Sequence, residues 1–112
     1  MVKTIKISGK DYDMKASAFT QFAYKDETGR SLLSDIQSLS DIHTEETDKI
    51  EHLVNILLDV SYVMIKEADP KQVQNKEEFM KSINDLFSDN TWISEVVELA
   101  ISPLSGGNIK ES

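Results

Sequence analysis

Residues 45–68, EETDKIEHLVNILLDVSYVMIKEA, decide the fold because they are apolar around most of a helical circumference. A continuous polar stripe, with spacings of four, three and four, is formed by Asn55, Asp59, Tyr62 and Lys66. A helix that is hydrophobic on nearly every side is normally surrounded by other elements. The sequence therefore predicts a buried central helix over 45–68, which stops before Pro70 because proline disfavours helical geometry in the residue preceding it.

Apolar and polar residues alternate in two short runs near the N-terminus. Ile5 and Ile7 precede a turn that contains glycine, and Tyr12 and Met14 follow it. Two alternating runs around such a turn are typical of a β-hairpin, which we expect over 3–16. A lone hairpin is marginally stable in water, so this one must pack on the helices.

Helical periodicity recurs in four further segments, which are 18–28, 31–40, 76–88 and 91–102. Ser17 is a candidate N-cap for the first of them, Gly29 follows its end, and Asn75 begins a capping pattern for the fourth helix of the chain. The sequence predicts one domain over 1–103 of the α+β class, mostly α, with an N-terminal β-hairpin followed by a bundle of about five helices. Residues 104–112 show no packing pattern and are expected to form a flexible tail.

The composition restricts the classes of partner. The chain has 112 residues, with 12 Lys and Arg against 20 Asp and Glu, a formal charge of −8 and no cysteine. An acidic excess works against binding nucleic acid or an anionic membrane surface. The absence of cysteine excludes disulfides, thiol nucleophiles and thiolate zinc sites. The N-terminus is too polar for a signal peptide, and residues 53–65 are too short and polar to span a bilayer, so the expected compartment is the cytoplasm.

Residues that carry catalytic or metal chemistry are scarce. His43 and His52 lie nine residues apart, which matches no metal-ligand spacing, and neither accompanies a nucleophile motif. The glycines are isolated and form no phosphate-binding loop. Most acidic clusters fall at predicted helix starts, where they complement the helix dipole. The sequence therefore predicts a protein that is not an enzyme and that needs no cofactor or metal.

Six aromatic residues and methionines fall at helical spacing: Phe19, Phe22, Phe79, Phe87, Met64 and Met80. We expect most of them in the core, and the others are candidates to line an adaptable groove for a partner. Trp92, on the flank of the last helix, is the first candidate to face a partner, because tryptophan is enriched at interaction hot spots. The alternative is a core position, since a single tryptophan is more often buried or half-buried. The last two helices also hold many apolar residues for a chain of this size. The candidate partner-binding residues are Trp92, Met80, Phe87, Val96 and Leu99.

The order of four segments carries a family resemblance. They are ISGKDYDMK at 7–15, ETGRSLLSDI at 27–36, Ala68-Asp69-Pro70 after the long apolar helix, and Glu77-Glu78-Phe79. In this order the chain resembles, over about residues 3–101, the tail assembly chaperones of long-tailed (siphovirus-type) phages or prophages of Gram-positive bacteria. The GRSLL stretch after Glu-Thr is the most suggestive part.

That resemblance implies a non-enzymatic role in the infected cell. Members of the family coat the aggregation-prone tape measure protein while the tail tube polymerises, and they are absent from the finished virion. The implied partner is the tape measure protein, with the tail tube protein and further copies of the chain as additional candidates. The family often makes a longer form by frameshifting, and it has no catalytic residues to transfer.

Two other classes of function remain open at this point. The charge of −8 fits an acidic regulator that occupies a nucleic-acid-binding protein, which would require carboxylates on one face at phosphate-like spacing. A small enzyme would have to use His43 or His52 together with nearby carboxylates, in a pocket beside one of these histidines.

Overall fold

A computed structural model describes residues 2–40, 47–83 and 91–103, with side chains described for 2–38, 52–83 and 91–103. The order of its elements is β1 (Val2–Ile7), β2 (Lys10–Lys15), α1 (Thr20–Thr28), α2 (Leu32–Ser40), α3 (Thr47–Ala68), a 3-10 turn (Pro70–Gln72), α4 (Lys76–Ser82) and α5 (Thr91–Ile101). The predicted class, a β-hairpin followed by five helices, is confirmed. The predicted tail over 104–112 lies outside the described residues.

The hairpin forms where the alternating pattern placed it. Ser8 and Gly9 both have positive φ, 56° and 84°, which is the geometry of a two-residue type I′ turn. This turn sets the antiparallel register that pairs Ile5 with Tyr12. The apolar residues of both strands therefore share one fully buried face: Ile5, Ile7, Tyr12 and Met14.

Helix α3 is the centre of the domain, as the apolar residues around most of its circumference predict. It packs against β2, α1, α2, α4 and α5, so most of its sides are covered. Ile56, Met64 and Ile65 are fully buried, and Tyr62 on the polar stripe contacts the ring of Phe79 at a centroid distance of 6.1 Å. No helix within the described ranges is both long enough and apolar enough to cross a membrane.

Helix α4 is shorter than predicted. The periodicity indicated a helix to residue 88, but α4 ends at Ser82 and Ile83 is extended, while 84–90 lie outside the described residues. The Ser82 hydroxyl donates to the carbonyl of Phe79 and lies 2.9 Å from the Tyr12 hydroxyl. These contacts anchor the last turn of α4 to the hairpin, an interaction that local periodicity does not reveal.

The free edge of β2 is covered by a side chain. The amide of Gln72 accepts a hydrogen bond from the Asp13 N–H and donates one to the Asp13 carbonyl, both at 2.8 Å. The same nitrogen donates to the carbonyl of Ile65 at 3.2 Å. Gln72 thus takes the place of a third strand at one residue, and it ties the hairpin to the C-terminal part of α3.

We predict that Gln72→Ala lowers the free energy of unfolding by about 1–2 kcal/mol, because two hydrogen bonds to the hairpin backbone are exchanged for bonds to water. Gln74→Ala is the matched control, since Gln74 is exposed and forms no hydrogen bond in the described structure. Urea unfolding of the two variants measures the difference. Equal losses of stability would contradict the edge-covering role.

Candidate functional site

A charged cluster, here called the Arg30 network, joins α1, α2, α3 and α4. Gly29 ends α1 in the left-handed conformation, with φ 77°, and this turn directs the chain so that Arg30 points back onto the bundle. Its guanidinium donates to Asp35 at 2.8 Å, to Asp59 at 2.7 Å and to the Tyr24 hydroxyl at 3.2 Å. The predicted helix–helix turn is therefore also a point of electrostatic attachment.

Both carboxylates of the Arg30 network have further partners. Asp59 is nearly buried on the polar stripe of α3, and its second oxygen lies 2.5 Å from the ammonium of Lys76 at the start of α4. Asp35 accepts a hydrogen bond of 2.5 Å from the Tyr24 hydroxyl. Since these carboxylates are already hydrogen-bonded to cations and a phenol, the arrangement is suited to holding helices together and not to transferring protons.

The network also changes proton affinities. Burial, followed by the hydrogen bond to Asp35, raises the pKa of Tyr24 well above its ordinary value. Hydrogen bonds with Asp35 and Asp59 raise the pKa of Arg30, so the guanidinium stays charged at any pH at which the protein is folded. Tyr24 therefore acts as a neutral donor within the network.

A groove of about 580 Å³ runs between α1 and α3 and is here called the α1–α3 groove. Its nine lining residues comprise an apolar set and a charged set: Phe19, Phe22, Ala23, Tyr62 and Val63, with Asp26, Glu27, Lys66 and Glu67. The volume is within the range of ligand-binding pockets. A groove with an apolar floor and a charged rim is able to hold an apolar group of a ligand and to discriminate between ligands by their charge.

The exposure of Phe19 and Phe22 was not expected. Core packing was expected for most aromatic residues, but these two are 62% and 67% exposed and line the groove, which was the alternative left open for some of the set. The reason is the orientation of α1, whose buried residues are Thr20 and Tyr24. Thr20 donates to Glu67 on α3 at 2.6 Å, and Ser17 donates to the same carboxylate. These polar contacts turn α1 so that the two phenylalanine rings face solvent along the groove.

Three of the five predicted partner-binding residues lie in the core. Trp92 is 2% exposed, and Val96 and Leu99, four and seven residues further along α5, are buried beside it. Spacings of four and seven place all three on one helix face, which packs against α3 and β1. In this structure they are core residues and offer no contact surface.

The other two candidates are not part of the groove as described. Met80 is 37% exposed and does not line the groove, and Phe87 lies outside the described residues.

The histidines are separate from this groove. His52 is exposed on α3 and does not line it, and His43 lies outside the described residues. Within the described ranges, no three His, Asp or Glu side chains are grouped so that they would hold a metal ion. Comparison of the chain with protein-family models, curated proteins and solved structures finds no match. The groove and its chemistry are therefore the structural basis for a functional proposal.

Two features of the site had a weak signal in the sequence. Asp59 lies within a helix that is otherwise apolar, and a buried carboxylate requires a cation, which Arg30 supplies from the turn after Gly29. The groove was harder to foresee, because Phe19 and Phe22 at a spacing of three resemble an ordinary core stripe. Only Thr20, placed between them and bonded to α3, distinguishes the inward side of α1.

We predict that Arg30→Gln lowers the free energy of unfolding by about 2 kcal/mol. Removing one partner from a buried ion pair costs about 3–5 kcal/mol, and we reduce this range because the Arg30 side chain is 40% exposed and partly screened by water. Lys81→Gln is the control, since its exposed pair with Glu77 contributes at most about 0.5 kcal/mol. Chemical denaturation that gives similar losses for both variants would contradict the structural role of the network.

Tyr24 gives a prediction for alkaline pH. In the unfolded chain its phenol ionises near pH 10, whereas the raised pKa keeps it protonated in the folded protein. The folded state then binds more protons, so the stability that Tyr24 contributes is complete below about pH 10 and is lost as pH rises further. We expect the wild type to lose up to about 1.4 kcal/mol per pH unit more than Tyr24→Phe between about pH 10 and 11.5. Urea titrations at each pH measure the free energy of unfolding. Curves of this free energy against pH that run parallel for the wild type and Tyr24→Phe would contradict the prediction.

Proposed function

We propose that this chain is a non-enzymatic tail assembly chaperone, which binds the tape measure protein of a long-tailed phage or prophage and keeps it soluble during assembly of the tail tube. The observation that carries the proposal is the α1–α3 groove with its two exposed phenylalanines. The order of segments that resembles the chaperone family supports it from the sequence. The proposed site of action is the cytoplasm of the bacterial host, and the protein is not expected in the mature virion.

The groove suits a partner that would aggregate when left alone. Tape measure proteins present long amphipathic helices, whose apolar faces are exposed until the tail tube surrounds them. Phe19 and Phe22 provide large apolar contacts at little conformational cost, because each aromatic side chain has only two rotatable bonds. Contacts of this kind, repeated by many copies of the chain along a long partner, would cover its apolar faces.

The charge of the chain supports the same role. Each copy of the chain has a formal charge of −8 on 112 residues. Bound copies therefore repel one another and are well hydrated. A tape measure protein covered with such copies would therefore present an acidic, hydrated surface in place of its apolar helix faces. Solubility is conferred by this covering, and no chemical step is required.

Co-expression with the tape measure protein of the same genome tests the proposal. We expect the wild type to keep that protein soluble and to elute with it on size exclusion. Combining Phe19→Ser with Phe22→Ser should reduce the recovered complex by about tenfold or more, because both apolar anchors are lost. The matched control combines Val2→Ser with Leu33→Ser, which removes two apolar side chains of similar exposure, 61% and 51%, away from the groove.

Thermal unfolding of both double variants serves as the folding control. Exposed side chains contribute little to the core, so each variant should stay within about 1 kcal/mol of the wild type. A tape measure protein that precipitates regardless of the wild-type chain would contradict the proposed function. Equal recovery with both double variants would remove the groove as the holding site.

A further inference from the structure

We infer that the α1–α3 groove selects a basic amphipathic helix, with two apolar residues one turn apart that are flanked by lysine or arginine. The inference rests on the proposed function and specifies which segments of the partner the groove would hold. It is carried by the placement of the two exposed rings and by the charges around them.

The backbone of the groove favours a helical occupant. Both walls are helices, so their amide and carbonyl groups are engaged within α1 and α3. At the exposed start of α1, the Phe19 amide donates to the Ser17 hydroxyl and the Phe22 amide donates to the Phe19 carbonyl. An extended peptide would find no sheet edge to pair with, whereas a helix satisfies its own backbone and needs only a surface for its side chains.

The apolar part of the groove has the dimensions of one helical turn. Phe19 and Phe22 are three residues apart, so their rings lie side by side along one edge of α1. Tyr62 and Val63 of α3, which are almost buried, form the floor of the groove beside these rings. Side chains from a partner helix at a spacing of three or four would fit beside the two rings and above this floor, as in the packing of ridges into grooves.

The rim supplies the charge selectivity. Three of the nine lining residues are acidic, Asp26, Glu27 and Glu67, and Lys66 is the only basic one. The Lys66 ammonium lies 5.7 Å from the ring centroid of Tyr62, on the side of α3. Glu67 accepts hydrogen bonds from two hydroxyl groups, and Glu27 lies 4.0 Å from the ammonium of Lys76. Among the described residues, no cation lies within ion-pair distance of Asp26. Flanking lysines or arginines on a partner helix would therefore find two carboxylates, Asp26 and Glu67, that have no ion pair among the described residues.

Charge also disfavours a second copy as the occupant. Every copy has a formal charge of −8, and the same three carboxylates surround the groove in each. Bringing two such surfaces together opposes like charges, whereas a basic helix is attracted to both the rim and the whole domain. The charge pattern therefore points to a different chain.

Binding of three synthetic peptides to the full chain tests the inference. Each has about 18 residues, which is long enough for appreciable helix formation. The first has leucines at helical spacing flanked by lysines, the second replaces the lysines with glutamates, and the third keeps the lysines but replaces the leucines with serines. Fluorescence anisotropy at low salt should show the first peptide binding at least about tenfold more tightly than either of the others.

Substitutions in the chain locate the binding. Phe22→Ser and Asp26→Lys should each weaken binding of the lysine-flanked peptide by about tenfold or more. The matched controls are Leu33→Ser and Glu98→Lys, which change exposed residues that do not line the groove. Each control should leave the affinity for this peptide within about twofold of the wild type. Asp26→Lys should also reduce the difference in affinity between the lysine-flanked and the glutamate-flanked peptides. Equal binding of these two peptides to the wild type, or equal effects of Asp26→Lys and Glu98→Lys, would overturn the charge selectivity.

The outcomes separate this inference from the proposed function. If the tape measure protein stays soluble through Phe19 and Phe22 but the glutamate peptide binds as well as the lysine peptide, the function stands and the basic preference is wrong. If the lysine peptide binds the groove but the tape measure protein precipitates, the recognition chemistry stands and the proposed function fails. A wild-type chain that is dimeric in light scattering, and that Phe22→Ser converts to a monomer, would show a second copy in the groove and would overturn the inference.

Discussion

The structure depends on the neutralisation of Asp59, a carboxylate placed on the central helix of a small core. Burying an unpaired charge in such a position would cost several kcal/mol, which is a large share of the stability of a domain of this size. Arg30 and Lys76 meet this requirement from two different segments, at 2.7 and 2.5 Å. Two chain segments that are far apart in sequence are thereby fixed against α3 by one side chain.

This interaction also determines which surface remains open. Arg30 follows α1 directly, and its bonds to Asp59, Asp35 and Tyr24 hold the C-terminal end of α1 against α3. Contacts from Ser17 and Thr20 to Glu67 hold the N-terminal end. Between these two polar attachments α1 cannot rotate to bury its phenylalanines. The hydrogen bonds that stabilise the bundle therefore leave a strip of apolar surface exposed beside carboxylates, which is the combination that the proposed partner requires.

The sequence was informative wherever local pattern and tertiary environment agree. The hairpin follows from alternation around a turn that glycine favours, and α3 follows from an apolar circumference that only a surrounded helix tolerates. Helix α5 follows from its periodicity, but the sequence left Trp92 as a candidate both for the core and for partner contact. A helical pattern shows which residues share a face and not which face meets the core. The same limit applies to Phe19 and Phe22, whose orientation is set by hydroxyl bonds to a residue 47 or 50 positions away. The length of α4 was overestimated because its end is fixed by contact with Tyr12 on the hairpin.

In the proposed function, the α1–α3 groove contacts the partner and the face of α5 does not. Hydrogen exchange of the wild-type chain, measured with and without a helical segment of the proposed partner, the tape measure protein, distinguishes these two surfaces. We predict slower exchange in α1 and in the second half of α3 around Tyr62 and Val63, with no change in α5, where Trp92 is already buried. Protection confined to α5, with unchanged exchange in α1, would show that the groove is not the contact surface.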